Sequence, residues 1–249
     1  MDRETEGNLS GSVGGEFGTT HWGVVLQAAN GDCPKAALAL EKLCLTYWHP
    51  LYTFVRRRGF GKEDAQDIIQ GFFLQLLAHE AFKGVNPAKG RFRSFLLAAL
   101  NYYISDDREK AHALKRGGGQ LPVPFDFEEA EARYGLALAD TWSPDKAFER
   151  QWALTILDRV LFRLEQEYRD AGRDRLFAAI KPYLVETSHS TSYAEVALRL
   201  LVSEEVIKKS VQRLRQRYGV MFREEIAHTL SDPAELEDEL RYLRAVMAG

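Results

Sequence analysis

Apolar residues recur every three or four positions along most of the chain, the spacing of one helix face, and no segment alternates convincingly with period two. The pattern predicts an all-α protein. A short helix is expected at 19–29, capped by Thr19 or Thr20, and a long helix or broken pair at 34–58, opened by Pro34 and ending in Arg56-Arg57-Arg58. The strongest amphipathic segment of this half is 62–78. There Ile68, Ile69, Phe72, Phe73, Leu76 and Leu77 oppose a polar side of Glu63, Asp64, Gln66, Asp67 and Gln70. Gly71 inside this helix costs about 1 kcal/mol relative to Ala, so a close approach by a neighbour is expected there. A further helix is expected at 93–110. Phe95, Leu96, Ala99, Leu100 and Tyr103 form its stripe, with Ser94, Asn101, Ser105 and Arg108 opposite.

The pattern lapses over 117–145, which is rich in Gly, Pro and acids and reads as a flexible linker. It resumes at 146–169, at 173–184, and in two short helices within 192–218. A last acidic helix starts after Ser231-Asp232-Pro233. The expected plan is therefore two small helical domains, 19–116 and 146–230, joined by the 117–145 linker. A polar, Gly-rich tail (1–18) precedes them and an acidic helix (231–249) follows.

The most informative stretch is SYAEVALRLLVSEEVIKKSVQRLRQRY, 192–218. Tyr193, Val196, Ala197 and Leu200 mark one helix. Leu201 and Val202 make the turn, Ser203 caps the second helix, and Glu204 and Glu205 suit its positive end. In that second helix Ile207, Val211, Leu214 and Tyr218 share a face. Glu205, Lys209, Gln212, Arg213 and Gln216 lie opposite, with Lys208, Arg215 and Arg217 at the flanks. A helix packed along one face and offering Lys, Gln and Arg on the other suits a major groove. It is equally the pattern of a solvated basic helix. Gly is common where Leu201 stands, and a left-handed Leu costs on the order of 1 kcal/mol.

Net charge is −3 over 249 residues, so nucleic-acid contact has to come from local patches rather than from the whole chain. One such patch is the loop FKGVNPAKGRF. It sets Lys83, Lys89 and Arg91 beside Phe82 and Phe92 and leads into Arg93, a mixture that suits unpaired bases. Phe95 and Tyr103 have the spacing of core residues. No apolar run approaches a membrane span, and no signal peptide is read at the start. Cys33 and Cys44, eleven positions apart on one expected helix, are about 16 Å apart and too distant for a disulfide, which fits the cytoplasm. The histidines are scattered, so neither a metal nor a cofactor is expected, and no spacing supports a nucleophile.

Taken in order, these segments resemble a bacterial RNA polymerase sigma factor of the extracytoplasmic-function type, over roughly 34–116 and 146–228. EDAQDIIQGFFLQLL resembles the helix that docks on the polymerase clamp. RFRSFLLAALNYYISDDREK resembles the segment that opens the minus-ten element, and 192–218 the helix-turn-helix that reads the minus-thirty-five element. The resemblance implies polymerase contacts at Asp64, Gln66, Asp67 and Gln70. It implies DNA contacts at Arg91, Phe92, Arg93 and Asn101, and at Glu205, Lys208, Lys209, Gln212, Arg213 and Arg215. Core RNA polymerase and promoter DNA are the implied partners, with an anti-sigma protein as a further one, and the chain itself is not an enzyme. The chain departs from the family at Gln66 and Gly71, where acids are usual, at Phe95 (often Trp), at Leu201, and in the acidic tail after Pro233. The rival reading is a dimeric helix-turn-helix regulator that acts without polymerase.

Overall fold

The computed structural model describes residues 34–77, 91–110, 125–136, 142–185 and 191–248, which are helical with no strand among them. Helix α1 (Pro34–Arg57) begins on a proline whose missing N–H is no loss in a first turn, and it ends on Arg56 and Arg57. Gly59, at φ +91°, then turns the chain. Helices α2 (Lys62–Leu77) and α3 (Phe92–Lys110) follow, both close to their expected bounds. The expected tail, the helix at 19–29, Cys33, and Lys83 and Lys89 lie outside the described residues.

Helix α5 (Pro144–Asp170) is the spine. Ser143 caps it by accepting from the Lys146 N–H at 3.2 Å, and Pro144 takes its first turn. Phe148, Trp152, Ile156, Val160 and Leu164 are all fully buried at a spacing of four. At about 100° per residue, each step of four turns the stripe about 40° around the axis. Over 16 residues the buried face therefore swings roughly halfway around the helix. One helix can then pack against α1 from the first half and against α9 (Glu204–Ala227) and α10 (Leu236–Ala248) from the second. Short helices α6 (Asp174–Ile180), α7 (Pro182–Val185) and α8 (Tyr193–Leu200) fill the space between.

Two features of the described residues bear on the expected two-domain plan. One hydrophobic cluster runs from Leu43 to Leu243 and includes residues of both halves, with Tyr47 of α1 stacked on Trp152 of α5 at 6.4 Å. The segment expected to be a flexible linker also holds a helix, α4 (Phe127–Leu136), packed on α1. Asp126 accepts from the Glu129 N–H at 2.9 Å, and Trp48 stacks on Phe125 with centroids 5.0 Å apart. Glu131 takes both arms of the Arg56 fork, at 3.0 and 2.6 Å, and accepts from the Tyr52 hydroxyl at 2.6 Å. Arg56 and Tyr52 hold the Glu131 carboxyl below its usual range, with partial burial opposing them.

Gly71 does mark a close approach: a Cβ there would sit 2.2 Å from the Tyr103 hydroxyl of α3. Gly71→Ala is expected to destabilise by about 1–2 kcal/mol in urea unfolding, overpacking outweighing the helix-propensity gain. In a Tyr103→Phe background that cost should largely vanish, and an unchanged cost would refute the account. His49 on α1 is buried, with Nδ1 3.2 Å from Gln151 Nε2, and burial pushes it from 6.5 down to about 4. Between those values the unfolded chain binds the proton and the folded one does not. The contribution is thus complete above pH 6.5 and is lost as pH falls toward 4. Unfolding of wild type and His49→Gln at pH 7 and 4.5 should show a pH dependence about 2–3 kcal/mol smaller in the variant.

Candidate nucleic-acid and partner surfaces

An accessible charged surface lies on α8, its turn and α9. Helix α8 opens on a reciprocal cap. Ser192 Oγ accepts from the Glu195 N–H at 3.2 Å, and Glu195 Oε2 accepts from the Ser192 N–H at 2.8 Å. It closes with Leu201 at φ 57°, ψ 41°, and the Val202 N–H reaches back to the Ala197 carbonyl at 3.0 Å. This is the left-handed ending usually given to Gly. Ser203 then caps α9, accepting from the Val206 N–H at 3.4 Å.

On α9, Ile207, Val211 and Leu214 are buried and Tyr218 half-buried, while Glu205, Lys208, Lys209, Gln212, Arg213 and Gln216 are exposed. Lys208 and Lys209 pair with Glu204 and Glu205 one turn back, at 2.7 and 2.9 Å. Exposed pairs of this kind are weak and screened by solvent, so they do not hold the lysines from another anion. Arg213 has no ion pair among the described residues. Arg215 is exposed as well, but it also has a partner inside the protein. Its Nε and Nη2 donate to the Tyr183 carbonyl at 3.1 and 2.8 Å, satisfying a backbone group of α7. Arg217 grips Glu167 of α5 with both arms, at 2.9 and 2.5 Å.

The polar side of α2 is also open. Asp64, Asp67 and Gln70 are exposed, while Gln66 is half-buried in a cleft shared with Glu63, Asp126 and Glu128. The start of α3 contrasts with both surfaces. Phe92 is 1% exposed, edge-on to Tyr47 at 5.4 Å. Arg93 is 0% exposed, its guanidinium 4.5 Å above the Trp152 ring. Arg93 Nε donates to Glu149 of α5 at 2.6 Å, and Nη1 lies 2.5 Å from Glu239 of α10 without hydrogen-bond alignment. Burial works against the Arg93 charge, but the two carboxylates outweigh it and hold its pKa above the ordinary value. Burial raises the Glu149 carboxyl, and the Arg93 charge offsets this only in part. Arg91 lies 2.8 Å from Glu239 as well. In this structure Phe92, packed on Tyr47, and Arg93, set between Trp152 and Glu239 of α10, are therefore interior groups, closed to a DNA strand.

Asn101 is half-buried and accepts from Arg58 Nη1 at 2.5 Å. The adjacent Tyr102 is 73% exposed. Leu198, Leu201, Val202 and Val206 form an exposed apolar edge around the turn, with Leu201 89% exposed. Sequence reasoning missed Glu149, Glu239 and Tyr102. The first two carry no local signal, whereas Tyr102 stands out once Leu100 and Tyr103 are assigned to the packed side. No family model, curated protein or solved structure matches the chain.

Leu201 combines a strained backbone with a side chain that packs on nothing. Leu201→Gly is expected to stabilise by up to about 1 kcal/mol in urea unfolding. A loss of stability would mean that the Leu side chain supports the turn.

Proposed function

We propose that the chain is a promoter-specificity subunit of bacterial RNA polymerase, a divergent relative of the extracytoplasmic-function sigma factors. The observation that carries the reading is α9: a helix fixed along Ile207, Val211 and Leu214 that offers Lys208, Lys209, Gln212 and Arg213 to solvent just beyond a tight, capped turn. Together α8 and α9 would serve as a helix-turn-helix. Lys and Arg at such positions pair with guanine edges and phosphates, Gln with adenine, and Glu205 accepts from cytosine. The open polar side of α2, with Asp64, Asp67 and Gln70, supports a second contact with core polymerase. Gln66 would join it from the cleft edge, and Asn101 would lie on the strand-capture surface. On this reading the protein works in the cytoplasm, needs no cofactor, and leaves the chemistry to the polymerase. An anti-sigma protein would act by masking either surface.

In vitro transcription with core polymerase over a genomic fragment library tests the reading. Lys209→Glu with Arg213→Glu is expected to lower promoter-specific transcription by about 100-fold while core binding in a pull-down is unchanged. If the wild-type protein neither binds core polymerase nor supports transcription, the reading fails. A dimer that binds palindromic DNA tightly without polymerase would favour the rival regulator.

A further inference from the structure

The start of α3 sets two guanidiniums against one carboxylate. Arg91 Nε lies 2.8 Å from Glu239 Oε2, and Arg93 Nη1 lies 2.5 Å from Glu239 Oε1. Glu239 is fully buried, although its neighbours Glu237 and Asp238 on the same helix are exposed. Neither Glu239 oxygen meets an aligned donor, and neither terminal nitrogen of Arg93 meets an aligned acceptor. The charges compensate at 2.8 and 2.5 Å, but neither contact to Glu239 is well aligned. A buried ion group in that state is a poor source of stability, and an apolar residue packed there would serve better. Stability alone therefore does not account for Glu239.

Two arginines converging on one oxyanion also suit a phosphodiester. Tyr242 of α10 lies over both guanidiniums, at 5.1 and 5.8 Å, and closes the site from outside. An open cavity of about 750 Å³ adjoins it, lined by Ser94, Asn101, Lys146, Glu149 and Tyr242 among others. Lys146 is a further cation on that wall, with Asp145 beside it as a further acid. With Glu239 withdrawn, Arg91 and Arg93 against Glu149 leave a net positive charge at the start of α3.

We propose that Arg91 and Arg93 form a phosphate site for the backbone of single-stranded DNA, and that the Glu239 carboxylate occupies it in cis until DNA displaces α10. The proposal rests on the nucleic-acid reading above, in which single-stranded DNA meets this segment, and adds the competitor that holds its place. Leu240, Leu243 and Val246 anchor α10 in the core, so the closed form dominates in the free protein. Binding by the wild type is then weakened by the scarcity of the open form.

The test is fluorescence anisotropy of the full chain at low salt with a labelled single-stranded oligonucleotide of mixed sequence. Glu239→Gln keeps the side-chain shape and removes the competing charge, and is expected to tighten binding about tenfold. Adding Arg91→Gln should cancel the gain. Asp238→Asn removes an equal charge from an exposed position of the same helix and should change affinity less than about twofold. The idea is overturned if Glu239→Gln gives no gain, if Asp238→Asn gives the same gain, or if Arg91→Gln leaves the gain in place. Hydrogen exchange on the wild type provides a readout that depends on no variant. Saturating oligonucleotide should speed exchange of the α10 amides, and unchanged exchange counts against displacement. A protein that shows these effects but ignores core polymerase retains the phosphate site and loses only the sigma reading. One that supports transcription but shows none of them loses only the phosphate site.

Discussion

A guanidinium with no access to water is the constraint on which the arrangement of the chain depends. Arg93 starts α3, Glu149 lies early in α5, and Glu239 lies in α10, so three segments distant in sequence meet at one charge. Beneath it Trp152 stacks on Tyr47, which brings α1 into the same node. An uncompensated buried charge costs several kcal/mol, so no one of these segments can leave without stranding a partner. The node thus fixes which segments meet, since any charge left behind would be buried without its partner. Helix α10 also packs on α9, where Glu237 pairs with Arg223.

The long helix α5 makes this meeting possible. A stripe with a spacing of four cannot stay on one side of a helix, and its drift turns the buried face from the first half of the chain to the second. A strict heptad pattern would have kept the face pointing one way and favoured two separate bundles. The clip between Glu131 and Arg56 reinforces the same outcome, because it fastens α4 to α1. With α4 pinned, less of the stretch between the halves is free to act as a hinge.

Much of this was legible in the sequence, and the omissions have physical reasons. The bounds of α1, α2, α3 and α5 followed closely from apolar period and, for α1, from Pro34, signals that act within a few residues of where they stand. The packed face of α9 and the positive φ of Leu201 were readable for the same reason. Helix α4 was missed because Gly, Pro and acid content dominated the reading, although Phe127, Ala130 and Tyr134 share one helical face. Phe92 and Arg93 were read as facing DNA because cations beside aromatics suit bases. Whether such a pair is inside or outside depends on carboxylates supplied from far along the chain, and Arg215 on a main-chain carbonyl, neither of which local pattern reveals.

On the proposed reading, the two nucleic-acid surfaces of this body differ in readiness, and the difference has an order built into it. The face of α9 is exposed and its lysines are held only by weak, screened pairs. It can meet a duplex with no change elsewhere in the molecule. The start of α3 is covered, and uncovering it means removing α10 along with its apolar anchors. Duplex contact therefore comes first and strand contact second, with the second step opposed by the fold. A protein that exposed both surfaces at once would gather single strands wherever they occurred. Keeping the single-strand site under a carboxylate confines its use to places where other contacts, to duplex DNA and to polymerase, already hold the protein and supply the free energy to open it.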